Sequence, residues 1–205
     1  MSAHFSYAHR NEMLRFLLVK TATVRCGVKP GELLRIRHCY QPVRSGAFPF
    51  CLRKEDILDI LQLDFIVLRE EAQSSLILFY HREMLEKTLT ESENRTLLTR
   101  CGYGDGTVEE MLARLVERFQ WEQLPHEVGI FLGYPAKDVS GFLGNESPTP
   151  VHRGDWQVFG DAAESVRRMH LYRSVREVAS RLLDCCEDVP TFLEQFSFSR
   201  NFVAN

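Results

Sequence analysis

The sequence predicts an α+β fold, in which a helix-rich single domain carries a small, mainly antiparallel sheet. Apolar residues recur at the helical period over several long segments, whereas the runs typical of strands are short and few. Two of the strand-like runs are neighbours joined by a polar turn, which is the pattern of a β-hairpin. Strands and helices do not alternate regularly, so we do not expect a doubly wound parallel sheet.

The first part of the chain is predicted to form a helix, a strand and a second helix. Apolar residues recur at helical spacing over residues 13–24, and Gly27 follows as a helix-ending residue. Glu32–Tyr40 alternates apolar and polar residues as a strand does. Gln41–Phe50 is rich in proline and glycine and is predicted to be a loop. Lys54–Leu63 then has apolar residues on one helical stripe.

The middle of the chain holds the predicted hairpin and a broken helical stretch. Phe65–Arg69 and Ser74–His81 are rich in β-branched and aromatic residues, and the polar turn Glu70–Gln73 lies between them. Arg82–Arg100 is helix-rich, and we expect a break in it near Thr88–Ser92.

The clearest helical signal in the chain begins at Thr107. A glycine-rich turn, Cys101–Gly106, precedes it, and Thr107 and Glu110 have the spacing of a capping box. The apolar face of this helix consists of Val108, Met111, Leu112, Leu115 and Phe119. We expect Pro125–Gly144 to form two short helices because glycines and prolines interrupt its apolar residues.

The last part of the chain is predicted to contain a short strand and two further helices. Asn145–Asp155 is expected to be a loop and Trp156–Phe159 a strand. Asp161 and Glu164 then have capping-box spacing at the start of a helix. The apolar residues of this helix change face along its length, which predicts a break near Tyr172–Ser174.

Length and charge restrict the domain count and the class of partner. At 205 residues the chain suits one domain, predicted over 1–189, with an aromatic tail over 190–205 that either docks or frays. The formal net charge of −3 argues against binding nucleic acid by broad phosphate neutralisation. No segment has the ~20 apolar residues of a membrane span, so no membrane partner is expected.

The cysteines indicate a reducing compartment and no metal site. The six cysteines lie far apart or directly adjacent, without the spacing of zinc ligands. The first residues lack the basic and apolar regions of a secretory signal, so we expect a cytoplasmic protein with reduced thiols. No motif identifies a cofactor.

One long segment carries a family resemblance. Pro125–Pro135, with the sequence PHEVGIFLGYP, resembles the signature of an uncharacterised bacterial family, domain of unknown function thirty-seven ninety-three. Gly27–Pro30, Gly102–Tyr103 and Trp156–Asp161 match other parts of its pattern. The resemblance implies a cytoplasmic bacterial protein, but it supplies no activity, cofactor or catalytic residue.

Two departures from the family pattern count against a cysteine-based mechanism. Family members often carry a cysteine in the first helix and another just before the tryptophan strand. The corresponding neighbourhoods of this chain are Lys20–Thr23 and His152–Asp155, and neither contains a cysteine.

Four polar residues in or beside the family segment are candidate catalytic residues: His126, Glu127, Tyr134 and Asp138. His126 titrates closest to neutral pH and is the best candidate for a general acid–base. Because His126 and Glu127 are adjacent, they point in different directions and cannot easily act on each other. The alternative is structural, since proline and acidic residues are common at the start of a helix.

Four residues of the second half are candidates for ligand binding: Trp156, Arg168, Tyr172 and Arg173. The arginines could hold an anionic ligand or an acidic partner. The alternative is an ordinary solvated helix face, because acidic residues are interspersed among them. Trp156 and Trp121 are more simply explained as core anchors.

Gly129 and Gly133 lie four residues apart, which on one helix lets another backbone approach closely. A glycine-lined ligand approach is the alternative. On the packing interpretation, Gly133→Val destabilises the fold.

The first functional hypothesis is a cytoplasmic accessory protein that binds a small ligand or a protein partner around His126–Asp138 and Trp156. It rests on the lack of a motif joining a nucleophile, a base and an orienting group. The alternative is a small enzyme with His126 as general acid–base. A third, weaker hypothesis is nucleic-acid binding through the arginine-rich C-terminal helices.

Overall fold

The computed structural model describes residues 12–37, 60–144 and 149–203. The first of these ranges contains a helix over 12–20 (α1), α2 (Ala22–Arg25) and β1 (Gly31–Arg37). The second contains β2 (Asp64–Glu70), β3 (Ser74–Tyr80), α3 (Arg82–Thr90), α4 (Ser92–Arg100), α5 (Val108–Trp121), α6 (Val128–Phe131) and α7 (Ala136–Phe142). The third contains β4 (His152–Arg153), β5 (Gln157–Val158), α8 (Ala163–Cys185) and α9 (Val189–Val203).

The main sheet has the strand order β1–β3–β2, and both of its pairings are antiparallel. Tyr80 at the end of β3 pairs with Gly31 of β1 and with Asp64 of β2. The predicted α+β fold with a small antiparallel sheet is therefore confirmed, and so is the hairpin of β2 and β3. Of the predicted strand Glu32–Tyr40, the part after Arg37 lies outside the described residues.

The two faces of the sheet pack against different helices. Ile77 and Phe79 of β3 belong to a core built with α1, α2, α8 and α9. Leu76 and Leu78 belong to a second core built with α3 to α7. Because successive side chains of a strand point to opposite faces, β3 contributes to both cores, and every residue of it is buried.

A β-bulge in β2 directs two consecutive side chains, those of Leu68 and Arg69, to the same face of the sheet. Val67 pairs with Ile77 and Arg69 with Leu76, so Leu68 is the extra residue of a β-bulge. Leu68 is buried in the second core, and the side chain of Arg69 reaches the carbonyl of Phe119 in α5. The bulge thus directs an arginine toward the end of α5.

Helix α8 runs without interruption from Ala163 to Cys185, so the break predicted near Tyr172–Ser174 is wrong. The sequence pattern misled because it counted Val166 and Val178 among the residues of the apolar faces. In the structure Ser165 is buried and Val178 is exposed. The residues that α8 buries recur every three or four positions: Ser165, Met169, Tyr172, Val175, Ala179 and Leu183.

Several local predictions are confirmed by the structure. A break separates α3 from α4 at Glu91, and the capping box of Thr107 and Glu110 begins α5. The segment Pro125–Gly144 forms the two short helices α6 and α7. The strand predicted over Trp156–Phe159 is β5. It pairs with β4, which lies within the segment Asn145–Asp155 that was predicted to be a loop.

Two further predicted segments, Lys54–Leu63 and the tail after Pro190, are described to different extents. Most of Lys54–Leu63 lies outside the described residues, and its described part is helical at residues 60–61. The segment after Pro190 continues α9, and its Phe192 and Phe196 are buried in the first core. None of the helices in the described ranges is long and apolar enough to cross a membrane.

Candidate functional site

The carboxylate of Asp138 joins three segments of the chain. Asp138 lies in the first turn of α7 and is only 2% exposed. Its Oδ1 accepts hydrogen bonds from the Lys137 ammonium (2.6 Å) and the Phe159 backbone N–H (2.9 Å). Its Oδ2 accepts from the Trp156 indole N–H (2.8 Å) and the Ser165 hydroxyl (2.6 Å).

These bonds decide the ionisation of Asp138. Burial acts to raise the pKa of the carboxyl, but the four hydrogen bonds, led by that of Lys137, hold the pKa below its ordinary value. The group is therefore a carboxylate, and each of its two oxygens accepts hydrogen bonds from two donors. This arrangement suits a structural joint better than a general acid–base, which needs an accessible oxygen.

Lys29 is a buried cation in the loop between α2 and β1. The residue is 3% exposed, and its ammonium donates to the Glu32 carboxylate at 2.6 Å. The ammonium also lies 5.8 Å from the ring centroid of Tyr134 and 5.5 Å from that of Tyr172, within the range of cation–π attraction. Burial lowers the pKa of Lys29, and the neighbouring Glu32 carboxylate offsets part of that effect.

Trp156 completes an aromatic wall beside Lys29. Its indole stacks on the Tyr134 ring with centroids 4.3 Å apart and planes inclined by 19°. The Tyr172 ring lies 6.3 Å from it in a tilted arrangement. We call Lys29, Tyr134, Asp138, Trp156 and Tyr172 the aromatic–lysine cluster. In the sequence Lys29 belongs only to the resemblance at Gly27–Pro30. Its burial depends on residues distant in sequence.

Three arginines of α8 lie beside this cluster, and each of the three faces an acceptor. Arg168 donates to the backbone carbonyl of Gly133 at 2.9 Å. Arg176 donates to Asp155 at 2.9 Å, and Arg173 lies 3.6 Å from the same carboxylate. The structure thus brings together Tyr134, Asp138, Trp156, Arg168, Tyr172 and Arg173 of the candidate residues. Within the described ranges, no group of three or more His, Cys, Asp or Glu could hold a metal ion.

His126 and Glu127 lie apart from the aromatic–lysine cluster. The exposed imidazole of His126 contacts the edge of the Phe142 ring, with centroids 4.6 Å apart. Glu127 is fully buried, and its Oε1 accepts from Arg118 Nε (2.8 Å) and the Tyr103 hydroxyl (3.2 Å). Glu127 therefore fixes the turn before α6 to α5 and, as expected, does not serve His126.

Gly129 and Gly133 are closely packed, but not against the backbone of another helix as expected. A Cβ at Gly129 would meet a methyl of Val139 at 2.8 Å, and one at Gly133 would meet the Pro30 ring at 2.5 Å. Both positions are therefore closely packed, but against side chains. The close backbone approach occurs at Gly31, where a Cβ would lie 2.7 Å from the Phe131 carbonyl oxygen.

Trp121 at the end of α5 is 89% exposed, so its assignment as a core anchor is wrong. Hydrophobicity suggested burial, but α5 directs its apolar stripe to the second core from other positions. Leu124 (46% exposed) and Phe142 (44% exposed) are also large apolar residues at the surface. Trp121, Leu124 and His126 are close in sequence and His126 contacts Phe142, and we call these four residues the Trp121 patch.

The backbone on either side of Trp121 is held by Arg69. The guanidinium donates to the carbonyls of Phe119 (2.7 Å), Gln123 (2.9 Å) and Glu122 at the C-terminus of α5. A cation in this position satisfies terminal carbonyls and complements the helix dipole. The exposed indole of Trp121 therefore stands on a fixed backbone.

Comparison with known proteins identifies a family and no named relative. Residues 17–193 match the family described as protein of unknown function (DUF3793). Neither the curated proteins nor the solved structures include a match to this chain. Since the match spans most of the chain, the resemblance seen in the sequence is confirmed, and the protein belongs to the DUF3793 family of proteins of unknown function.

Proposed function

We propose that this protein is a bacterial, cytoplasmic accessory protein that binds a protein partner through the Trp121 patch. The observation that carries the proposal is the 89% exposure of Trp121, because a tryptophan usually buries most of its large apolar surface. In the part of the chain that the structure describes, Cys101, Cys185 and Cys186 form no disulfide, which supports a reducing compartment. The family resemblance of Pro125–Pro135 supports a bacterial origin.

The energetics favour a partner that offers an apolar pocket. Burying one indole removes roughly 200 Å² of surface from water, worth about 5 kcal/mol before the costs of association. Arg69 and Arg118 lower those costs because their hydrogen bonds fix the segment before a partner arrives. Tryptophan is also among the residues that dominate the energies of protein interfaces.

The rival sites are less well supported by their geometry. Lys29, Asp138 and Trp156 of the aromatic–lysine cluster find hydrogen-bond partners within the protein, which favours an anchoring role over a small-ligand site. His126 makes a ring contact with Phe142 and no hydrogen bond in the described part of the chain, so a catalytic partner is lacking there. Arg168 pairs with Glu164 and Arg176 with Asp155, which reduces the positive charge available to nucleic acid.

The proposal is tested by photo-crosslinking in cells of the source organism. A benzophenone amino acid replaces Trp121 in one variant and Val178, an exposed apolar residue of α8, in a control variant. We expect a discrete adduct from position 121 that is weak or missing from position 178. Mass spectrometry of the adduct then identifies the partner, and an adduct with a second copy of this chain would identify self-association instead.

Two outcomes would count against the proposal. Equal, diffuse labelling from both positions would show that the Trp121 patch has no specific occupant. A metabolite or cofactor that co-purifies with the protein and is lost in His126→Ala, with crosslinking unaffected, would favour the enzyme hypothesis.

A further inference from the structure

Two adjacent cysteines, Cys185 and Cys186, lie at the end of α8. Cys185 is exposed and is the last residue of the helix, whereas Cys186 is half-buried and follows it. Neither cysteine forms a disulfide in the structure, so both side chains are thiols. An accessible cysteine with a second cysteine beside it is typical of redox-sensing sites, because the second thiol can resolve an oxidised first one.

The backbone at this pair has the conformation that suits a bond between adjacent cysteines. Cys185 is helical, and Cys186 is extended, with a φ of −88° and a ψ of 138°. A right-handed helical residue followed by an extended one is the combination of a type VIII turn. A disulfide between neighbouring residues closes a small ring, and this turn accommodates that ring with a trans peptide bond. The two sulfur atoms can therefore meet without unwinding the preceding turns of α8.

The side chain of Cys186 connects α8 to α9. Its Sγ lies 3.6 Å from Oε1 of Gln195 in α9, where a thiol donates a weak hydrogen bond. Cys186 also packs against the first core. Two residues, Glu187 and Asp188, separate it from the start of α9 at Val189. A change at the sulfur of Cys186 therefore acts directly on the position of α9.

The attachment of α9 depends on its buried aromatic side chains and on the cap at its start. Phe192 is 0% exposed and Phe196 is 3% exposed, and their rings stack with centroids 5.2 Å apart. The carboxylate of Asp188 accepts a hydrogen bond from the Thr191 backbone N–H at 2.8 Å. Because Cys186 lies just before this cap, a displacement of Cys186 also disturbs the cap.

We propose that Cys185 and Cys186 form a thiol–disulfide switch that loosens α9 when the pair is oxidised. In the oxidised state one disulfide joins the two adjacent sulfur atoms. The hydrogen bond to Gln195 is then lost, because a disulfide has no S–H donor. A reducing compartment holds the pair as a dithiol, and disulfides that form there are the transient, redox-sensing kind.

The oxidant is a small disulfide such as glutathione disulfide. The thiolate of the exposed Cys185 attacks one sulfur of the small disulfide, and a mixed disulfide forms as the first glutathione thiolate leaves. The thiolate of Cys186 then attacks the Cys185 sulfur and displaces the second glutathione. The two cysteines lose two electrons and two protons, and the small disulfide takes up both to become two thiols. Reduced glutathione reverses both steps.

The disulfide is tested by equilibrating the full chain in buffers with different ratios of reduced to oxidised glutathione. The remaining thiols are trapped with N-ethylmaleimide, and trypsin then releases residues 182–200 as one peptide, because no lysine or arginine lies between Arg181 and Arg200. As the share of glutathione disulfide rises, we expect this peptide to lose two hydrogen atoms and to carry no label. Neither Cys185→Ser nor Cys186→Ser should show that loss.

Three results of this titration would overturn the proposal. The first is a dithiol peptide that stays unchanged at every glutathione ratio. The second is a glutathione adduct that persists without ring closure. The third is a disulfide that joins this peptide to a different part of the chain.

Hydrogen–deuterium exchange measures the effect of the disulfide on α9. We expect the amides of α9 to exchange several-fold faster in the oxidised protein than in the reduced protein, whereas those of α5, which packs in the second core, keep their rate. Cys186→Ser is the control, since it keeps a hydroxyl donor but cannot close the ring, and its exchange should not respond to the glutathione ratio. Equal exchange of α9 in the oxidised and reduced protein would refute the switch even where the disulfide forms.

Discussion

Gly133 is the position at which the packing of the candidate site can be measured most directly. Gly133 has a φ of 74°, and a Cβ added there would lie 2.5 Å from Pro30 Cδ and 3.3 Å from the Tyr172 hydroxyl. Gly133→Ala therefore has two costs. The left-handed backbone conformation costs a non-glycine residue about 1–2 kcal/mol. The contact with the Pro30 ring adds overpacking of about 1–3 kcal/mol.

Gly160→Ala is the matched control for this substitution. Gly160 has a φ of 66°, and nothing lies within 4 Å of the position where its Cβ would be. It therefore has the backbone cost without the contact. For a chain of this length, about 1 kcal/mol corresponds to a change of about 2–4 °C in melting temperature. We expect a decrease of about 4–20 °C for Gly133→Ala and about 2–8 °C for Gly160→Ala.

The assay is thermal unfolding followed by circular dichroism, with urea unfolding to give the free energy of each variant. Pro30→Ala in the Gly133→Ala background should recover part of the loss, since it removes the ring that the new methyl contacts. Equal losses for the two alanine variants would refute the reasoning, because the backbone conformation alone would then explain both. Gly133→Val, with two more carbon atoms, should be more destabilising than Gly133→Ala.

Three further substitutions test the site and the proposed surface. Trp121→Ala should change the free energy of unfolding by no more than about 0.5 kcal/mol, as expected of an exposed side chain, while abolishing co-purification of the partner that crosslinking identifies; a large loss of stability would show that Trp121 packs after all. Asp138→Asn should destabilise the protein by about 3 kcal/mol at neutral pH, because the Lys137 ammonium loses its buried carboxylate partner. Because the pKa of Asp138 is lowered in the folded protein, its contribution to the free energy of unfolding is complete above the ordinary aspartate pKa and is lost as the pH falls through the pKa of the folded state. The melting temperatures of wild type and Asp138→Asn should therefore converge from neutral to acidic pH. A constant difference between them would contradict this. Lys29→Met should lower the free energy of unfolding by about 3–5 kcal/mol, because Glu32 loses its partner. The double variant with Glu32→Gln should lose less stability than the sum of the two single variants. Additive losses would show that the two residues are not coupled.

The sequence predicted elements whose signals are local. The hairpin, the break between α3 and α4 and the cap at Thr107 each depend on residues that are close together in the chain. Helix α8 was divided wrongly because its buried face is set by tertiary contacts, such as the hydrogen bond of the buried Ser165 to Asp138, a residue far away in sequence. The same limit applies to Trp121, whose hydrophobicity does not reveal on which side of α5 it lies.

The candidate site was predicted in part for a related reason. Tyr134, Asp138, Trp156 and Tyr172 were identified individually from residue chemistry, and the structure brings them into contact. Lys29 was missed because a lysine between Gly27 and Pro30 is ordinarily a solvated loop residue, and only tertiary contacts bury it. A catalytic role of His126 stays a prediction, because the titration range of a histidine says nothing about its neighbours.

The position of β3 between its two partners has a consequence for the order of folding. β2 and β3 are joined by a short turn, so their pairing requires closure of only a small loop. β1 pairs with β3 across all the residues between Arg37 and Ser74, which makes its loop-closure entropy larger. The hairpin should therefore form early in the folding reaction, and β1 should join it late. Substitutions in β1 are then expected to accelerate unfolding more than they slow folding.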